Sequence, residues 1–363
     1  MTTLTRPAEP ATAQRPADQP RRLQARTQDD VLSLAGAAIA SLAIVWLVFE
    51  QLLAWSGTLA FLACWYAGFL ALYAGLTALT SSRPIVLERV AATWIHAGAF
   101  IVALGLTTAV GYTFIKGQPA LAHWNFFSQD MAGVGPTDPL SKGGILHAVV
   151  GSLVEIGIAV AVSVPLGVGT AVYMTEVGGR LSRVVRTIVE AMTALPSIVA
   201  GLFIYTTLIV GLHFPRTGFT AAMAISVMML PIIARAGDVA LRVVPGGLRE
   251  AGLALGASQW STVWRVVLPT ARPGLATAVI LGVARSVGET SPVLLTSGAS
   301  SYLNLNPFQD PMNSLPLFVF SSVRSGESLY IARGFGAASV LLALVLVLFV
   351  ITRLVARQRV SSR

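Results

Sequence analysis

The chain is 363 residues long, 55% hydrophobic and only 11% charged, with a formal net charge of +9. A globular chain carries about 25% charged residues, so an ordinary soluble domain is excluded. The 23 Arg and 2 Lys are dispersed over many short segments, which excludes a nucleic-acid footprint, and the single Cys64 excludes a disulfide framework or thiolate metal cluster.

Residues 1–30 are rich in Pro, Ala, Thr and charge and have no apolar run. They cannot form the h-region of a signal peptide, and their composition predicts a disordered tail. Beyond them the chain avoids charge over lengths that suit a bilayer. Val31–Phe49 is free of Asp, Glu, Lys and Arg for 19 residues, Val90–Ile115 for 26, Ile156–Thr175 for 20, Ala191–Pro215 for 25 and Gly334–Thr352 for 19. About 20 apolar residues at a rise of 1.5 Å cross the hydrocarbon. The expectation is an all-α polytopic membrane protein with about eight transmembrane helices, at 31–54, 58–80, 90–115, 146–174, 184–211, 217–235, 273–296 and 333–354. Ser56-Gly57-Thr58 divides the first apolar block into a hairpin.

Lys and Arg in the connecting segments set the orientation. With both termini cytoplasmic, 19 of these 25 residues lie inside, five lie outside (Lys116, Lys142, Arg216, Arg324, Arg333), and Arg285 falls within a span. This predicts a multi-pass membrane protein with both termini cytoplasmic. Its parts are a cytoplasmic tail (1–30), three N-terminal helices (31–115), a periplasmic loop (116–145), a core (146–354) and a basic cytoplasmic tail (355–363). Within the core, 236–272 is a cytoplasmic loop and 297–332 a periplasmic one. The apolar run Leu315–Val319 in the latter is too short to span and reads as re-entrant or interfacial.

In the cytoplasmic loop, Gly247–Val267 carries Leu248, Ala251, Leu255, Trp260 and Val263 at three- to five-residue spacing, which predicts one amphipathic helix. Such a helix lies on the membrane surface or docks a partner. Its residues Glu250-Ala251-Gly252, Gly256 and Val266-Val267-Leu268-Pro269 resemble the EAA motif of ABC-importer permeases, with Gly252 in place of Ala and Val266 in place of Ile. A helical Gly252 costs roughly 0.5–1 kcal/mol. Gly252 and Gly256 are read as small residues that admit a partner surface.

Residues 146–352 resemble the type I ABC-importer permease (MetI-like) core. Ala284-Arg285-Ser286-Val287-Gly288-Glu289-Thr290-Ser291-Pro292 and Ala194–Phe203 are similar to signatures of phosphate-specific (Pst-type) permeases, and Asn313-Ser314-Leu315-Pro316 to the A-type subunit. The resemblance implies a permease subunit of an ATP-driven phosphate importer. A sibling C-type permease would complete a heterodimer, an ATPase dimer would bind the EAA loops through Glu250, Ala251, Gly252, Gly256, Leu268 and Pro269, and a periplasmic or lipid-anchored binding protein would deliver phosphate. Neither lysine stands in a Gly-Lys-Ser/Thr loop, so ATP belongs to the partner and this chain carries no cofactor and no catalytic residue. The first two spans depart from the family's six-helix pattern, and the resemblance assigns them no role.

A charge inside the membrane is a functional hypothesis by default. Arg285 lies about 12 residues into the seventh span, with Glu289 at i+4. Arg285 offers forked donors to phosphate with Glu289 orienting it, or the two form a structural pair. Thr290 and Ser291 are further donors, unless they bond back to their own helix. Glu155, nine residues into the fourth span, either pairs with Arg285 or faces the path. Glu190 is expected to pair with Arg186. Pro165, Pro196, Pro231 and Pro292 fall within spans as bending points. The four histidines make no pair at metal-ligand spacing. The alternatives are a permease for sulfate or molybdate and an autonomous secondary transporter or channel.

Overall fold

The computed structural model describes residues 28–53 and 57–356; most of both predicted tails lies outside the described residues. Regular structure among the described residues is entirely helical. The chain divides into two compact units, Met1–Leu106 and Thr107–Arg363.

The first unit holds α1 (Gln28–Trp46, running on as a wider turn through Leu52), α2 (Thr58–Thr80) and the start of α3 (Arg83–Leu121). Polar atoms pin these helices to one another. Trp65 Nε1 donates to the Ala38 carbonyl at 3.2 Å, Arg89 pairs with Asp30, and the Tyr66 and Trp94 rings meet edge to face at 5.3 Å. Their outer faces are apolar and exposed, with Leu32 at 68%, Leu59 at 84% and Leu79 at 82%. The third span is longer than 90–115 because Arg83, Glu88, Arg89 and Lys116 stay helical. Charge ends the apolar run without ending the helix.

The second unit contains α4 (Asn125–Ser128), α5 (Leu146–Val172, continuing to Val177), α6 (Gly179–Thr193), α7 (Ser197–Ile204, continuing to Gly211) and α8 (Gly218–Arg242). After them come α9 (Gly246–Ala254), α10 (Gln259–Thr262, continuing to Val267), α11 (Leu268–Ser286), α12 (Ser291–Thr296), α13 (Leu315–Arg324) and α14 (Ser328–Ala356). Lipid gives apolar side chains no reason to leave it, so helices in a membrane associate by close backbone packing of small residues. On α5, Ser152, Ala159, Ser163, Gly167 and Ala171 form a buried stripe. A Cβ on Gly167 would lie 2.8 Å from Ile233 Cγ2, and one on Gly237 would lie 3.0 Å from Ala171 Cβ. Gly282 of α11 approaches Ile233 from another side, with a Cβ position 2.7 Å from Cγ1, and Gly274 approaches Ala240 at 2.7 Å. The order of these contacts makes α5 parallel and α11 antiparallel to α8, which holds the centre of the unit.

Among the described residues, seven helices are long and apolar enough to cross a membrane, and α6 and α7, bent by 108°, are long and apolar enough to make one more together. Because α5 and α8 run the same way, this bent pair returns the chain. The predicted single span at 184–211 is therefore corrected. Pro196 has no N–H and excludes the α region at Leu195, so the chain is extended at Pro196 (φ −59°, ψ 139°) between the two helices. The span at 273–296 is corrected likewise. Its helix starts at Gln259, ends at Ser286 and restarts at Ser291, and Pro292 sits in the new first turn. Pro165 and Pro231 alone of the four lie inside continuous helices.

The apolar run Leu315–Val319 opens α13, and its Leu315, Leu317 and Phe318 are at most 2% exposed, packed among the other helices of the unit. Arg333 belongs to α14 rather than to a loop; it is buried, and its Nη2 donates to the Asp138, Pro139 and Lys142 carbonyls at 2.9–3.0 Å. The long loops are joined by Met131 N–H donating to the Ser301 carbonyl at 2.9 Å and by Leu303 N–H donating to Asp130 Oδ2 at 3.0 Å.

Candidate transport site and coupling loop

The three segments that carry the signature come together. A Cβ on Gly201 of α7 would lie 2.6 Å from Pro292 Cα, so the Ala194–Phe203 and Ala284–Pro292 segments meet backbone to backbone. The third joins through α5, where Ser152 Oγ accepts from Leu315 N–H at 2.7 Å. Gly151 lets the Asn313 carbonyl pass so closely that any side chain there is excluded.

Arg285 lies in the last turn of α11 and Glu289 follows the helix end, with Arg285 Nε 3.6 Å from Glu289 Oε1. The pair is asymmetric: the arginine side chain is 62% exposed and the glutamate 13%. The cation therefore projects from the chain while the carboxylate is tucked behind it. Thr290 and Ser291 are half-buried, and neither hydroxyl bonds back to a helix carbonyl, so both are free to donate to a ligand.

Glu155 does not pair with Arg285. It is 1% exposed and accepts from Ser297 Oγ at 3.1 Å. Together with Glu289 it lines a cavity of about 10 Å³ between α5, the break after α11 and the start of α13.

The loop segment Gly247–Val267 is not one amphipathic helix. The first helix, α9, ends at Ala254; Gly256 takes φ +80°, and Ser258 Oγ caps α10 by accepting from Ser261 N–H at 3.3 Å. Leu248 and Ala251 are therefore on a different helix from Trp260 and Val263. The two glycines have separate reasons. At Gly256 the left-handed backbone favours glycine. At Gly252 a Cβ would lie 2.9 Å from Thr262 Cγ2, so its small size admits α10 of the same chain rather than a partner surface. Glu250 and Ala251 are exposed, as are Leu255 at 88%, Trp260 at 58% and Trp264 at 68%. Leu268 packs against the Ala171–Leu241–Val267 cluster, and Pro269 lies in the first turn of α11.

Two ionic clusters that the sequence reading missed hold this region. Glu176 receives Arg249 through Nη2 at 2.8 Å and Nε at 3.2 Å, while Arg249 also donates to the Val244 and Leu241 carbonyls. Gln259 donates to the Glu176 carbonyl at 2.6 Å, so α9 and α10 are both fastened to the end of α5. Asp238 receives Arg186 Nη2 and Thr175 Oγ1 at 3.0 Å each and Arg242 Nε at 3.2 Å. Arg186 is thus held by Asp238 across 52 residues rather than by Glu190 one turn away.

A helical bundle with a cation at a helix break and an exposed, braced loop helix has the build of a membrane permease. The family model described as "Binding-protein-dependent transport system inner membrane component" matches residues 163–361. Phosphate transport system permease protein PstA 1 of Mycobacterium tuberculosis is 38% identical over 269 residues, covering 72% of this chain and 88% of the relative. PstA of Haemophilus influenzae is 33% identical over 242 residues, covering 66% and 83%. A bacterial ABC transporter involved in the import of the polysaccharide alginate superposes with a TM-score of 0.51 at 14% identity, over 76% of this chain and 99% of that one; this likeness bears on the fold alone. The chain belongs to the binding-protein-dependent inner membrane transport components, in their PstA branch.

Proposed function

We propose that this chain is the A-type permease subunit of an ATP-driven phosphate importer and lines the translocation path with a sibling permease. The observation that carries the reading is Arg285, a largely exposed cation at the break between α11 and α12, backed by a carboxylate and two free hydroxyls. Guanidinium presents paired N–H donors that fit phosphate oxygens, and Thr290 and Ser291 add donors beside it. Glu289 aims the guanidinium, and its negative charge opposes tight capture of the anion, so phosphate enters and leaves. Glu155 faces the small cavity behind this site and acts as support rather than as a phosphate contact.

The Lys and Arg distribution supports cytoplasmic termini, with Glu250, Ala251 and the exposed aromatics of the loop facing the ATPase. The chain itself hydrolyses no ATP, and a separate binding protein delivers phosphate on the far side. Sulfate and molybdate are the competing substrates. The test is labelled phosphate uptake in cells lacking the protein, complemented by wild type or by Glu250→Arg at equal membrane level. Wild type restores uptake that excess sulfate and molybdate do not inhibit, and reversing the exposed charge lowers it by about tenfold or more. Uptake that survives Glu250→Arg identifies an autonomous carrier, and inhibition by sulfate or molybdate reassigns the substrate.

A further inference from the structure

The cavity shared by Glu155 and Glu289 is lined by three hydroxyls, those of Ser152, Ser286 and Ser314. Ser152 Oγ is engaged, since it accepts the first N–H of α13 from Leu315. That bond takes over the capping of α13, and Ser314, which occupies the N-cap position, makes no side-chain cap. Ser314 Oγ and Ser286 Oγ are both buried without a hydrogen-bond partner, in residues 2% and 1% exposed. Several other hydroxyls of this unit bond back to their own backbone. Ser226 Oγ donates to the Ala222 carbonyl at 2.7 Å, Thr270 to Val266 at 2.7 Å and Thr296 to Pro292 at 2.8 Å. Ser286 and Ser314 do not, and they line the same space.

A buried hydroxyl left without a partner costs about 1–3 kcal/mol. A cavity of about 10 Å³ is about the room one water needs, provided two to four polar partners surround it. Two unpartnered hydroxyls and two carboxylates meet that condition. We propose that this cavity binds one water molecule, and that through it Ser286, Ser314 and Glu155 act as positioning residues that hold the Glu289 carboxylate behind Arg285. The three come from different elements, α11, the start of α13 and α5. The aim of the guanidinium therefore depends on how these elements meet, and a shift of α13 or α5 is felt at Arg285 without touching it.

The functional arm of the test rests on the phosphate reading and is built to separate the two. The full complex is reconstituted in liposomes with wild type, Ser286→Ala, Ser314→Ala and the double variant, at equal amounts of assembled complex. Each single variant lowers the maximal uptake rate by about tenfold while the half-saturating phosphate concentration, set by the binding protein, stays unchanged. The double variant is no worse than the weaker single, because both hydroxyls act on one water. Effects that multiply, or wild-type rates in both singles, overturn the proposal. A wild-type complex that does not transport phosphate overturns the substrate instead. If the alanine variants do not assemble, a density map of the wild-type complex at a resolution that shows ordered water decides. A peak within hydrogen-bonding distance of Ser286 Oγ and Ser314 Oγ supports the site, and a dry cavity refutes it.

Discussion

Gly252 departs from the alanine of the motif it resembles, and Thr262 accounts for the departure. Thr262 is 4% exposed and β-branched, so its side chain has little room to move away from a Cβ placed 2.9 Å from Cγ2. Gly252→Ala gains helix propensity of about 1 kcal/mol but forces α9 off α10, with a net loss of about 1–2 kcal/mol of local stability. Amide exchange over Gly246–Ala254 speeds up accordingly, and Thr262→Ala added to it, which removes both Cγ2 and Oγ1, restores protection. Failure of the second change to rescue the first means that the contact is not the cause. Arg249 gives a companion case. Its guanidinium spans Glu176 and the Val244 and Leu241 carbonyls at once, which a lysine ammonium cannot do. Arg249→Lys keeps the charge and loses the fork, so uptake falls several-fold while the membrane level of the protein holds. None of these partners was legible in the sequence. Thr262, Glu176 and Asp238 are brought to Gly252, Arg249 and Arg186 by folding, and helical spacing offered the nearer Glu190 for Arg186 instead. Glu155 was more legible, because it falls on the four-residue stripe of small residues along α5; periodicity alone marks it as buried between helices.

At the scale of elements, apolar length located the crossings well, since the bilayer imposes that length on the sequence. It located the breaks badly, because a helix interruption needs only one proline and leaves the apolar run intact. Pro196 turns one predicted span into α6 and α7 at 108° to each other, and Pro292 restarts a helix within another. Both breaks then become packing surfaces. Gly201, just past the first, rests on the backbone of Pro292 at the second. A methyl group there meets Cα at 2.6 Å and the Pro292 carbonyl at 3.2 Å, atoms that cannot rotate away. Gly201→Ala is expected to cost about 1–3 kcal/mol and to lower the melting temperature of the purified complex. Gly246→Ala, which meets nothing within 4 Å, serves as the control and leaves the melting temperature unchanged. Equal melting of the two variants contradicts close packing of α7 on α12.

For the whole molecule, the division after Leu106 leaves α1 and α2 in a unit separate from the signature segments, the Gly247–Val267 loop and residues 163–361 matched by the family model. The second unit secures its own part of α3. Gly117 packs on the backbone of Phe335 and Gly336, and Ser339 Oγ reaches the Thr113 carbonyl at 3.4 Å. Helix parity makes the contribution of the first unit testable. Deleting residues 1–82 removes two crossings, so α3 still begins on its original side, and Arg83 and Arg89 remain to hold it there. Deleting residues 1–55 removes one crossing, so α2 and everything after it must invert against the Lys and Arg distribution, or α2 must fail to insert. The first deletion is expected to keep phosphate uptake and the second to abolish it. The check is uptake alongside the accessibility of a single cysteine introduced in a Cys64→Ala chain by Gly247→Cys, at an exposed loop position where a Cβ meets nothing within 4 Å. Accessible only from the cytoplasm in the 1–82 deletion, that cysteine supports the orientation and shows that the permease unit stands without α1 and α2. Loss of uptake in the 1–82 deletion, with the cysteine still on the cytoplasmic side, makes the first two helices part of the transport machinery itself.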